Sequence, residues 1–180
     1  MDDVDVVVRL NGGLALAQAP PDVMSRRTDV PFYDMRAAGA GMVAYPSWRR
    51  SAVRAPYRAK RAELRRDGGP PVRLVPPPMM SAMRAALGER PPTIGTCAVM
   101  FFLESPAAGL AVHGFTFLET AYAPGYDDAV RDGAEARAWV DARGAHEPVS
   151  EKIALRRRLE APHGPRVVLG RHVRRHLMAG

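Results

Sequence analysis

Cysteine is nearly absent from this 180-residue chain, where Cys97 stands alone. No internal disulfide can form, and a framework built for an oxidising compartment is excluded. Long hydrophobic runs are lacking as well: no uncharged apolar stretch approaches the roughly 20 residues that cross a bilayer. The first residues are acidic rather than basic and then apolar, so neither a membrane span nor a signal peptide is expected. There is no internal repeat. Lysine occurs only at Lys60 and Lys152, yet the formal net charge is +7 and the sequence pI about 10.3. The excess is arginine. It favours an anionic partner, whether nucleotide, nucleic acid or membrane surface; a compositional habit of the genome would produce the same excess without any partner.

What remains fits a single domain spanning residues 1–180, long enough to bury a core. Val4 to Leu10 is a β-branched run that reads as a central parallel strand, stopped by Asn11-Gly12-Gly13. Thr28 to Tyr33 reads as a second strand, and Pro31 assigns it to an edge. Further short strands are expected at Met42 to Tyr45 and Val72 to Val75, with Pro76-Pro77-Pro78 as a stiff connector before a helix from Met79 to Leu87. The methionines of that helix read as core filler. A helix from about Trp48 to Arg66, interrupted at Pro56, is dense in arginine. Its plain meaning is a solvated basic face. The sharper one is nucleic-acid or anionic-lipid contact, although Trp48 and Tyr57 are too few for a base-stacking platform.

The organising stretch is Pro92-Thr93-Ile94-Gly95-Thr96, followed directly by an apolar run to Leu103 of helical length. The first N–H groups of such a helix lack intrahelical partners and carry the positive dipole end, which suits a phosphate. A simple cap is the alternative. Leu110 to Val112, ended by His113-Gly114-Phe115, reads as a buried parallel strand. Downstream, Asp132 to Arg143 suggests a surface helix ended by Gly144. Pro148 then stands at the first position of another helix, ahead of Ser150 and Glu151, with Arg156-Arg157-Arg158 at its end. Val167 to Leu169 and Arg171 to Leu177 read as a last strand and a terminal helix.

The order Pro-Thr-x-Gly, then His113-Gly114-Phe115, then His146 with Glu151 five residues later resembles the small and very small sialyl motifs of the CMP-sialic acid-dependent sialyltransferases, glycosyltransferase family 29. Asp5 to Asn11 and Arg27 to Val30 resemble the later part of that family's large motif. The resemblance implies a Rossmann-like α/β sheet, mostly parallel, with helices on both faces and the family's first strand missing. It also implies an inverting, metal-independent transfer of a sugar from a CMP-sugar donor to a glycan hydroxyl, without cofactor. His146 would be the catalytic base and Glu151 a structural residue of its motif. Asn11, Thr93, Gly95, Thr96, Gly114 and Tyr126 would bind the donor, with Thr28 of second rank. Because the large motif normally opens two dozen residues earlier, weak activity or none is expected of this chain.

Each of these residues has a plainer reading. Asn11 and Thr28 suit turns, Thr93 and Thr96 suit a helix cap, and a lone His before a helix is usually surface. Asp127 and Asp128 lack the neighbours a hard cation needs, so no metal site is read. Location is expected to be cytoplasmic, with peripheral contact to the inner membrane open. The rival reading is a basic nucleic-acid-binding protein, or a nucleotide-binding pseudoenzyme on the same fold; the leading reading expects no nucleic acid.

Overall fold

The computed structural model describes residues 4–11, 27–34, 42–44, 73–121, 130–144 and 146–178, with positions 58, 59, 62 and 66 between them. It is a mixed α/β protein whose strand pairs are all parallel among the described residues. The chain forms two compact units, Met1–Met80 and Ser81–Gly180.

In the first unit, β1 (Val8–Leu10), β2 (Val30–Asp34), β3 (Met42–Ala44) and β4 (Arg73–Leu74) lie side by side in chain order. The expected positions of the first two strands are exchanged. β1 is an outer strand among those described, and β2, expected at an edge, is flanked on both sides. Hydrogen-bond direction explains how Pro31 is tolerated there. The Val30 N–H bonds Val7 O at 3.1 Å, so the nitrogen of Pro31 faces the β3 side, where pairing begins only at Phe32. Phe32 is fully buried. Arg9, also buried, donates from Nε to Arg27 O at 3.0 Å. Asp29 accepts from the Val7 N–H at 2.7 Å and from Arg27 Nε at 3.0 Å. The Val7 bond and then Arg27 hold its carboxyl below the usual range. Arg-Thr-Asp thus ties the start of β2 to the approach to β1. In open α/β sheets the ligand crevice lies where strand order reverses, and these four strands show no reversal.

Helix α1 (Pro77–Ala86) carries the chain into the second unit. Pro77 and Pro78, expected in the connector, instead start this helix, where an N–H has no intrahelical partner to lose. Met80 and Met83 are buried as expected. Helix α2 (Ile94–Leu103) is apolar nearly all round and buries Thr96 to Met100 and Leu103, as a core helix must. Ser105 and Pro106 stop it. β5 (Gly109–Val112) pairs with β6 (Arg166–Leu169), and the crossover between them contains α3 (Gly133–Arg143) and α4 (Pro148–Glu160). β5 is not the buried strand expected. In a two-stranded sheet only Val112 is fully covered, while Gly109 and Ala111 are exposed.

Asp132 caps α3, accepting the Glu135 N–H, and Gly144 ends it in the left-handed conformation at φ 57°. The terminal α5 (Arg171–Met178) buries Val173 and Leu177. His176 is half-buried and bonds Glu119 Oε2 at 2.7 Å. Of the arginine-dense helix, positions 58, 59, 62 and 66 are helical and exposed; the rest lies outside the described residues. Among the described residues no helix is long and apolar enough to cross a membrane.

Candidate functional site

Three local choices of sequence build the site in the second unit. Pro91 and Pro92 keep the chain extended up to Thr93, which has φ −60° and ψ 157° and caps α2 by accepting the Thr96 N–H. Glu147 caps α4 through the N–H groups of Val149 and Ser150, with Pro148 in its first turn. That capped first turn then points Glu151 at the start of α2.

The Glu151 carboxylate receives three donors, all from the mouth of α2. The Thr93 N–H reaches Oε1 at 2.9 Å, the Thr93 hydroxyl reaches Oε2 at 2.6 Å, and the Thr96 hydroxyl also donates to Oε2. Glu151 is 2% exposed and Thr96 0%. Burial pushes the Glu151 carboxyl above its usual range, and the threonine bonds and His146 pull it back without reversing the shift. The acceptor seated at this helix N-terminus is therefore the protein's own carboxyl. What stays open is the amides: among the described residues nothing accepts from the N–H groups of Ile94 and Gly95.

His146 joins the same cluster from the loop before α4. Its Nδ1 lies 3.1 Å from Pro91 O and 3.8 Å from Glu151 Oε1. A carbonyl can only accept, so Nδ1 carries the hydrogen and donates. In the neutral ring that hydrogen leaves Nε2 with the lone pair, the tautomer a general base requires. The imidazole side chain is 25% exposed, so water or a substrate can reach it. No family model, curated protein or solved structure matches the chain.

The cluster unites four of the expected residues, Thr93, Thr96, His146 and Glu151, across 55 to 58 positions of sequence. Gly95 belongs to the same helical turn, but the approach its missing side chain allows is an internal one. A Cβ there would meet the Phe115 ring at 2.1 Å. Gly114, next to Phe115, has φ 76° and nothing within 4 Å of where a Cβ would stand. Asn11, at φ 41° after β1, belongs to the first unit. The Thr28 hydroxyl, in that unit, is buried without a hydrogen-bond partner among the described residues. Tyr126, Asp127 and Asp128 lie outside the described residues.

Two features escaped sequence reasoning. The first is Pro91, whose carbonyl sets the imidazole tautomer; no side-chain pattern announces a backbone acceptor. The second is a clasp on the loop after β5. Lys152, 9% exposed, pairs with Glu119, which also accepts from His176, and Lys152 Nζ stands 5.7 Å from the Phe117 ring centroid. Burial acts to raise the Glu119 carboxyl, but the Lys152 and His176 bonds outweigh it and hold the group below its usual range. The clasp braces a strained turn, since Phe117 and Leu118 both have positive φ, 52° and 62°. One signal was available: one of only two lysines directly follows Glu151 in a capped helix. Cys97 is no nucleophile, because burial, and then the Glu151 charge, push its thiol up to about 12. Among the described residues no three His, Cys, Asp or Glu side chains converge as metal ligands.

Proposed function

We propose that this chain is a glycosyltransferase resembling the sialyltransferases of glycosyltransferase family 29, moving a sugar, sialic acid by the resemblance, from a CMP donor to a glycan hydroxyl with inversion. The observation that carries the reading is the meeting of Thr93 and Thr96 with His146 and Glu151, residues of two separate motifs about 55 positions apart, in one hydrogen-bonded cluster. Nothing in composition requires that meeting.

In this reading His146 Nε2 takes the proton of the acceptor hydroxyl as the oxygen attacks the anomeric carbon and CMP leaves. The Pro91 carbonyl holds the ring in the right tautomer. The open amides of Ile94 and Gly95, at the positive end of α2, meet the departing phosphate. Glu151 braces the start of α2 rather than touching substrate. Gly114, with open space where a Cβ would stand, belongs to the donor site in this reading, and the fold it implies is a Rossmann-like sheet with helices on both faces. The transfer is metal-independent, needs no cofactor, and takes place in the cytoplasm.

A second reading has one observation of its own. Glu151 already engages both threonine hydroxyls, which leaves fewer groups for a phosphate and favours a pseudoenzyme that holds the nucleotide without transfer. One experiment separates the two. The full chain is mixed with CMP-sialic acid and a galactose-terminated acceptor, and free CMP is followed alongside the thermal shift caused by CMP. We expect release that falls roughly 100-fold or more in His146→Ala while the CMP-induced shift persists. A shift without release assigns the pseudoenzyme. No shift with CMP at all overturns both.

A further inference from the structure

The far end of α4 contributes to a second surface feature, unconnected with the proposed transfer chemistry. Leu159 lies eight residues beyond Glu151, about 12 Å of helix rise. It joins His163, Arg166, Val167, Leu169, Arg174 and Met178 around an open groove of 450 Å³. Strand and helix periodicity create it. Val167 and Leu169 share one face of β6. On α5, Val173 and Leu177 turn inward, which sets Arg174 and Met178, one turn apart, along the groove wall.

The groove's chemistry is uneven in a telling way. Its floor is aliphatic, and Met178 on its wall is 55% exposed. Its cations are uncommitted. Arg158 is engaged by Glu104 at 2.5 Å and by Pro162 O, whereas Arg166 and Arg174 have no carboxylate partner among the described residues, and Glu160 beside Leu159 pairs with neither. His163 adds a buried Nδ1 that makes no hydrogen bond among the described residues. Two unpaired guanidiniums beside an apolar floor complement a ligand with an anionic head and an aliphatic body.

We propose that this groove binds a single acyl chain with an anionic head group, the chain lying on Leu159, Val167, Leu169 and Met178 and the head held by Arg166 and Arg174. A carboxylate or phosphate head satisfies the guanidiniums, and the chain covers the exposed aliphatic surface. Such a chain could come from a free fatty acid or from an anionic lipid of a membrane.

The test titrates the full protein by calorimetry with sodium decanoate below its micelle threshold, with 1-decanol as chain without charge and acetate as head without chain. Saturable binding of decanoate is expected, at least tenfold tighter than decanol, with none for acetate. Arg166→Ala with Arg174→Ala should weaken it tenfold or more. Met178→Asp, a change at an exposed helix end that leaves the thermal midpoint in place, should do the same. A flotation arm with vesicles of phosphatidylcholine, with and without a quarter phosphatidylglycerol, identifies the source. Decanoate binding with flotation on the anionic vesicles assigns membrane lipid, and decanoate binding without flotation assigns a free acid. Decanol binding as tightly as decanoate, binding indifferent to these substitutions, or vesicle binding with no decanoate binding would each overturn the proposal.

Discussion

Glu151 shows how much a single residue can organise. Its carboxylate is buried, yet it answers three donors at the start of α2, so losing it strands groups that water cannot reach. Glu151→Ala should therefore destabilise the second unit by on the order of 2 kcal/mol or more. Glu151→Gln gives the finer test. A carboxyl raised in the folded state binds protons more readily there than in the unfolded chain, so its contribution is fully present below the unfolded value of about 4.3 and is lost as pH rises through the folded value. In denaturant titrations, wild type should lose stability relative to Glu151→Gln as pH rises from about 4 to 8. A difference constant across that range would refute the raised carboxyl.

At the scale of elements, α2 is set by what packs on its first turn. Gly95 is there because the Phe115 ring from the segment after β5 occupies the space of a side chain. Two effects then oppose each other in Gly95→Ala: alanine favours helix by up to about 1 kcal/mol, and the new methyl displaces the ring. The ring's far edge makes the contact and can move, at the expense of the packing it leaves. Gly95→Ala should thus lower the thermal midpoint in wild type and raise it in a Phe115→Ala background. The same sign in both backgrounds would show that the glycine answers to something other than Phe115. This double-mutant logic also tests the donor site, since a fall in CMP response that Phe115→Ala restores reflects packing rather than lost contact.

Over the whole molecule, acid behaviour sums opposing groups. Glu119, clasped by Lys152 and His176, and Glu147, capping α4, are held below the usual range, while Glu151 is raised. A lowered carboxyl contributes stability that is present above the unfolded value and is lost as pH falls through the folded one, below about 4.3. Unfolding midpoints should therefore drop on acidification, and Glu119→Gln should flatten that drop while lowering stability at pH 7. An acid limb unchanged in Glu119→Gln would remove the clasp from the account. Much of the second unit was legible in the sequence, because its signals are local. Thr93, Asp132 and Pro148 mark helix starts, Gly144 an end, and the apolar run after Thr96 a core helix, since caps and periodicity act within a few residues. Strand order was not legible, because the exchange of β1 and β2 turns on which way the Pro31 nitrogen faces, and a neighbouring strand decides that. The chain by itself determined which chemical groups are present: a single cysteine, an excess of arginine, a histidine before a capped helix. Tertiary structure alone decided what each of them meets, from Glu151 seated on α2 to Glu119 between Lys152 and His176, because hydrogen bonds and packing join residues more than 30 positions apart that no local pattern connects.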